Sequence, residues 1–345
     1  MRLSTGQRTG ESYTAALRHF LPATSPAVPT VAKAARTTEA VRLAVAQTPA
    51  REDPRDIDAL RESGRQVRDL MHQAHDQGAR IVQFPEGAIC FPNKRIMSAT
   101  GPDTVGPAGW DHYPWPVAKA ELAKIADLAA ELRLWTVIAA PQRLTGANRP
   151  HNSLYVLSDH GAVATRYDER RLSRTKAMYM YSPGRSPVTF DLDGVRFGCL
   201  LGMEIHYPEL FAEYEALDVD CVPLSTTGVR PGNVAAQTLG NAASNSYWVS
   251  LAVPTQHAET APSAVAAPNG QWHRQCPRMA HPPLPSSTGT TSVNPPRKRS
   301  TTHARGAVGH ARPDQTITTR RTPAARTVRQ ASADRRDRSQ TPAGI

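Results

Sequence analysis

The feature that most constrains this chain is the alternation of two periodicities between Val41 and Ala140. VRLAVAQ (41–47), ARIVQFPE (79–86) and WTVIAA (135–140) are short runs of small and β-branched residues, the length and composition of buried strands. Between them, Asp53 to Gly78 repeats apolar residues near helical spacing at Ile57, Leu60, Val67 and Leu70/Met71, with Pro54 near its start and Gly78 where a helix stops. Trp115 to Leu134 does the same with Ala118, Leu122, Ile125 and Leu128/Ala129. A β-α-β-α-β order of this kind demands helices packed on a sheet. It excludes an all-helical bundle and an all-β sandwich.

Strands dominate the middle of the chain. NSLYVLS (152–158), AVATRY (162–167), VTFDL (188–192) and VRFGCLLG (195–202) are expected strands, and Asp193-Gly194 is expected to turn the last two into a hairpin. Glu209–Leu217 and Val234–Asn245 are expected helices, with strands at 219–224 and 247–253. SAVAAP (263–268) and QWHRQC (271–276) flank an Asn-Gly turn.

Charge divides the chain differently. The whole carries 41 Lys+Arg against 30 Asp+Glu, yet residues 41–276 hold 23 against 25 and residues 277–345 hold 13 against 3. The basic character belongs to the ends, so it says nothing about what the middle binds. Residues 1–40 are expected to be a disordered lead; their acid-poor, Arg-containing text also has a faint transit-peptide character. Residues 277–345 contain no Phe, Trp or Tyr and are expected to form a basic, low-complexity, disordered tail. The break at Pro277 is abrupt, and a shift of reading frame accounts for it better than a nucleic-acid-binding tail does. The four cysteines (Cys90, Cys199, Cys221, Cys276) are too scattered for a disulfide scaffold or a cysteine zinc site, and no stretch is apolar enough to span a membrane. Cytoplasmic location is the expectation.

Chemistry is expected at strand ends. FPEGA (84–88), YDERRLSRTKAMYMYSPG (167–184) and GCLLGMEIHYPELF (198–211) stand there. A carboxylate that closes a buried apolar strand is costly unless used or paired, which singles out Glu86; the competing reading is a cap on the following turn.

Taken in order, AVAQ (44–47), FPEG (84–87), N-S-x-Y-V (152–156), G-x-x-x-x-R-Y (161–167), Pro183-Gly184, the M-E-x-x-Y-P-E-L-F run (203–211) and P-S-A-x-x-A-P-x-G (262–270) resemble the nitrilase, or carbon–nitrogen hydrolase, superfamily over about 41–276. The resemblance implies a four-layer αββα sandwich, commonly paired into a homo-oligomer. It implies hydrolysis of a small amide, nitrile or carbamoyl compound by a Glu-Lys-Cys triad, with no cofactor and no metal. In such a triad a thiolate attacks the carbon, a carboxylate moves the protons, and an ammonium stabilises the oxyanion.

Only one triad position matches. Glu86 falls on the general base. Glu169 stands at the family lysine, and Gly202 stands at the family cysteine. No carboxylate occurs in 175–182, where an accessory acid is expected. Cys199 sits an odd three residues from Gly202, so it faces away, and Cys90 reaches the pocket only through its loop. Lys176 reads as a surface lysine, with a cation for the pocket as the alternative. Glu169 beside Glu86 would bring two carboxylates together and raise the pKa of one. Glu204 and His206 are the expected substrate contacts. Two functions follow: a carbon–nitrogen hydrolase of impaired activity, or a pseudoenzyme that binds an amide-like or carboxylate ligand.

Overall fold

A computed structural model describes residues 40–227, 231–277 and 287–295. In chain order the described elements are β1 (Val41–Gln47), α1 (Ile57–Asp76), β2 (Ile81–Gln83), α2 (Trp115–Glu131), β3 (Trp135–Gln142), β4 (His151–Leu157), β5 (Val163–Asp168), β6 (Phe190–Leu192), β7 (Val195–Phe197), β8 (Leu200–Leu201), α3 (Pro208–Ala216), β9 (Cys221–Ser225), α4 (Pro231–Asn245), β10 (Trp248–Ala252), β11 (Ala264–Ala266), β12 (Trp272–Gln275) and β13 (Ser287–Val293). One sheet runs β13-β1-β2-β3-β4-β5; the other runs β12-β11-β10-β9-β7-β6, with β8 also on β9. The strands β1, β2 and β3 are parallel, as are β9 and β10, and hairpin partners complete each sheet in antiparallel fashion.

Two apolar layers show how the sheets are stacked. One core joins inward residues of both sheets, among them Val45, Val137, Val156, Phe197 and Cys221, and continues through Leu224 and Val249 on the outer face of the second sheet to α3 and α4 residues such as Phe211 and Val234. The second joins the other face of the first sheet (Ala44, Val82, Ile138) to Val67, Met71, Ile125 and Ala129 of α1 and α2. The result is an α/β four-layer αββα sandwich.

Local chemistry explains most boundaries. The first helix begins at Ile57 and not at Asp53, because the Asp53 carboxylate turns back on Arg55 N (3.0 Å) and Asp56 then caps Ala59 N (2.9 Å). It ends at Asp76, and the chain turns away at Gly78, whose φ of 73° favours glycine. Asp193 and Gly194 both have positive φ, the geometry of a two-residue hairpin turn.

The first sheet corrects the expected end of the ordered fold. Ser287–Val293 lies inside the stretch read as a low-complexity tail, yet it pairs along the whole of β1, Val41 against Val293 and Gln47 against Ser287. The sequence STGTTSV has no aromatic residue to signal a strand. It has β-branched residues with period two instead: Thr291 and Val293 are buried, Thr290 and Ser292 half exposed. An added edge strand draws on the ladder of β1 and needs only one buried face. Residues 1–39 and 296–345 lie outside the described residues. Among the described residues no helix is long and apolar enough to cross a membrane.

If β13 completes the first sheet, a charge at its fully buried Val293 has nowhere to go. Val293→Asp in the full chain is expected to lower unfolding stability by about 3 kcal/mol or more. Denaturant melts showing a change below about 0.5 kcal/mol would place that strand outside the cooperative fold.

Candidate active site

Six chain segments converge at one end of the two sheets: the turn after β2, the start of β4, the residues after β5, the turn at 176–180, and the junctions after β8 and after β9. The two sheets are held in register there by a buried polar seam. Gln83 Nε2 donates to Ser225 Oγ (3.2 Å), Ser250 Oγ donates to Gln83 Oε1 (2.5 Å), and Ser225 Oγ donates to the Phe84 carbonyl (2.7 Å). Two residues beyond Phe84, the chain presents Glu86.

Glu86 is buried and fully hydrogen-bonded. Its Oε2 accepts from Thr227 N and Thr227 Oγ1, both at 2.9 Å. Its Oε1 accepts from Lys176 Nζ (2.6 Å) and Asn152 Nδ2 (2.8 Å). The same two donors reach the second carboxylate: Lys176 Nζ lies 2.8 Å and Asn152 Nδ2 2.7 Å from Glu169 Oε2. One ammonium and one amide are thus shared between two carboxylates. The ring of Phe91 covers Lys176 Nζ at 5.8 Å from its centroid.

The expectation of a surface Lys176 is corrected. It opens a wide turn, 176–180, closed by the Tyr181 N–H on the Lys176 carbonyl (2.9 Å), a five-residue span. That turn aims the side chain inward, where it is 7% exposed. The segment expected to carry an accessory carboxylate therefore carries the cation, and the expected lysine position carries the carboxylate.

Gly202 begins a short helical turn after β8 with φ of 65°. A Cβ there would lie 2.9 Å from Glu169 Cδ and 3.0 Å from Lys176 Nζ. Glu169 Oε1 points into this space, with Met203 N at 3.4 Å. The carboxylate of Glu169 fills the volume that a side chain at 202 would use.

Glu204, an expected substrate contact, is fully engaged by its own chain. Its Oε1 accepts from Arg170 N (2.7 Å) and Arg171 N (3.1 Å), and its Oε2 from Tyr167 Oη–H (2.7 Å) and Leu201 N (2.9 Å). With four donors from its own chain and no exposure, it fixes the 201–206 turn against the end of β5. His206 is half-buried and engages Gln237 Oε1 through Nδ1 (2.7 Å). Neither residue touches the Glu86–Lys176–Glu169 network.

All four cysteines are buried. Burial, with Asp53 and Glu52 nearby, pushes the Cys90 thiol up to about 12. Cys199 is fully buried in the inter-sheet core, and burial raises it further. Arg170 and Arg171, adjacent to Glu169, turn outward to Glu213 (2.7 Å) and Glu209 (3.8 Å).

Sequence reasoning missed Asn152 and Thr227. Asn152 was in plain view as the one amide at the head of the buried strand β4. Thr227 follows β9, and no local pattern marks it.

The electrostatics separate the two acids. Burial raises Glu86, but the Lys176 charge and the hydrogen bonds from Lys176, Asn152 and Thr227 outweigh it and hold it below the usual carboxylate range. Burial pushes Glu169 up to about 7; Lys176 opposes this, while Glu86 and Glu204 add to it. Burial lowers Lys176, but Glu169 and Glu86 overcome it and keep the ammonium charged. The set can hold and relay protons and polarise a carbonyl. It lacks a nucleophilic side chain at Gly202.

A pair of facing sheets flanked by helices, with a buried carboxylate–ammonium–carboxylate network at the strand ends, defines an αββα protein of the nitrilase-like fold. The family model for carbon-nitrogen hydrolase matches residues 42–281, and the chain belongs to that family. It is similar to two proteins named Hydrolase Rv0480c and Hydrolase MT0498 of Mycobacterium tuberculosis, each 25% identical over 176 residues, 48% of this chain. The match spans 56% of those relatives' length. Among solved structures, a cysteine-to-alanine mutant of the Nesterenkonia AN1 amidase from the nitrilase superfamily has a TM-score of 0.58 at 18% identity, covering 74% of this chain and 90% of that one. A mutant of the same amidase that shows covalent addition of the acetamide moiety of fluoroacetamide at its active site cysteine has a TM-score of 0.57 at 18% identity, covering 74% and 90%. These similarities establish the fold.

Two outcomes test the network. Lys176→Met leaves two carboxylates buried without their cation and is expected to cost about 3–5 kcal/mol. The exchanged pair Glu169→Lys/Lys176→Glu restores one cation between two acids and is expected to recover more than half of that loss in denaturant melts. The second outcome concerns pH. The folded-state pKa of Glu169, about 7, lies above its unfolded value near 4.5, so the folded state holds the extra proton between these limits. The Glu169 contribution is full below about pH 4.5, declines as pH rises toward about 7, and is constant above. Glu169→Gln is expected to remove that decline, and an unchanged slope would reassign the proton.

Proposed function

We propose that this chain is a carbon–nitrogen hydrolase of the small-amide or nitrile type by descent, in which the covalent thiol step has been lost. The observation that carries this reading is Gly202, with the Glu169 carboxylate in the volume a side chain there would occupy. The remaining groups still suit a carbonyl substrate. Glu86 is an ionised base, and Lys176 is a cation beside it. Without a nucleophile, that equipment supports only water attack.

The magnitudes set the expectation. Loss of a nucleophile from a catalytic unit costs on the order of 10⁴–10⁶ in kcat. A retained general base contributes about 10²–10⁴. Slow hydrolysis of an activated ester is therefore the most that Glu86 supports, and efficient amide hydrolysis lies outside its reach. The name of the similar amidase supports small amides as the ancestral substrate class.

The geometry dictates how a revertant must be built. Gly202→Cys with Glu169→Lys alone would place two lysines beside Glu86. A working revertant also needs Lys176→Glu, which returns the charge balance. Ammonia release from a panel of small amides, nitriles and carbamoyl compounds is expected to be at background for the natural chain. The Gly202→Cys/Glu169→Lys/Lys176→Glu variant is expected to exceed it by at least about 10⁴-fold. Turnover by the natural chain that Glu86→Gln abolishes would overturn the loss of function.

A further inference from the structure

The Glu169 carboxylate is held in an unusual way for a buried acid. Its Oε2 receives an ammonium and an amide, Lys176 Nζ at 2.8 Å and Asn152 Nδ2 at 2.7 Å. Its Oε1 faces a backbone N–H, Met203 N at 3.4 Å, and the open side of Gly202. Three donors of three kinds converge on one carboxyl group. None of them comes from Glu169's own neighbours in sequence. They come from β4, from the 176–180 turn and from the turn after β8, and they would remain in place if the two terminal carbons of the side chain were removed.

The space is also defined. Gly202 supplies no Cβ, and any Cβ would collide with the Glu169 carboxyl. The space beside Gly202 is therefore filled by a carboxylate that reaches in from the end of β5. The atoms that fill it, Cγ, Cδ and the two oxygens, are the atoms of acetate.

We propose that Glu169 is a tethered occupant of a small-monocarboxylate site formed by Lys176, Asn152 and the Met203 N–H, and that the natural chain excludes free carboxylates from this site because it carries its own. The proposal rests on the reading that the thiol step is lost, since a side chain at 202 would compete for the same volume. It names the ligand class of the site as a one- or two-carbon carboxylate. Longer acids meet the Gly202 backbone.

The test is a titration of acetate, at constant ionic strength with chloride, into the full-length natural chain and into Glu169→Ala. The readouts are thermal melting and the line width of ¹³C-labelled acetate. Glu169→Ala is expected to show a saturable rise in Tm of about 4 °C or more and broadening of the acetate signal. Formate should act more weakly, and benzoate should have no effect. The natural chain is expected to show neither response. Equal responses in both proteins, or a folded Glu169→Ala that ignores acetate, would overturn the proposal.

Glu169→Ala removes a charge partner of Lys176, so a second measurement covers a variant that does not fold. Gly202→Ala is expected to lower Tm strongly in the natural background, where its methyl group meets the Glu169 carboxyl. In a Glu169→Asp background, where that carboxyl is drawn back by one methylene, the loss should be smaller, the remainder being the cost of a side chain at φ 65° and beside Lys176 Nζ in both backgrounds. Equal losses in both backgrounds would show that Glu169 does not occupy the space. Ammonia release by the natural chain would defeat the proposed loss of activity and leave the acetate result to be judged by itself.

Discussion

Two carboxylates and one ammonium share a site from which water is largely excluded, and the rest of the architecture answers to that imbalance. Any buried charge must be matched closely, because burial in a medium of low polarity penalises it far more than water does. Lys176 matches one acid, and the second must find donors or a proton. Glu86 is supplied with two further hydrogen bonds from Thr227, in addition to those from Lys176 and Asn152. Glu169 has the same two shared donors and only a long contact to Met203 N. Burial pushes both acids up; the Glu86 and Glu204 charges push Glu169 further, whereas the Lys176 charge and the bonds from Lys176, Asn152 and Thr227 hold Glu86 down. Of the two acids, Glu86 is held below the usual carboxylate range and Glu169 is pushed up to about 7.

Such a balance requires donors from distant parts of the chain to arrive with accuracy of a few tenths of an ångström. The buried seam of Gln83, Ser225 and Ser250 provides it by tying β2 of one sheet to β9 and β10 of the other. Those are the strands that end at Glu86 and lead into Thr227. Glu204 does the corresponding task on the opposite wall, with four hydrogen bonds that fix the Gly202 turn to the end of β5. Both devices are polar, which is costly inside a core, and both are fully paired. Their position next to the carboxylates gives the cost a purpose: apolar packing alone would leave the register of the two sheets free to slide.

Much of this was legible in the sequence, for reasons that differ by residue. The strands and helices of 41–276 were visible because they obey clean periods of two and 3.6. Glu86 was visible because an acid at the end of an apolar strand has few innocent explanations. Cys199 could be set aside because an odd offset on a strand points away from the pocket, and it lies in the inter-sheet core. Lys176 was not legible, since it sits on a five-residue turn where neither period applies. Only the fold shows that the turn faces inward. Ser287–Val293 was hidden for another reason: its strand signal is carried by threonine and a terminal valine, and its stability comes from β1, over 240 positions away in the chain.

Gly202 and Glu169 are best understood as one change and not two. A side chain at 202 and a carboxyl at 169 claim the same volume, so neither residue can be altered freely while the other stays. Restoring a thiol alone would drive its sulfur against a buried carboxylate. Restoring a lysine at 169 alone would set two ammonium groups against Glu86. The charge exchange between 169 and 176 and the missing Cβ at 202 therefore lock one another in place. On the proposed reading, a thiol at 202 therefore requires changes at 169 and 176 as well, because the three residues share one volume and one charge balance.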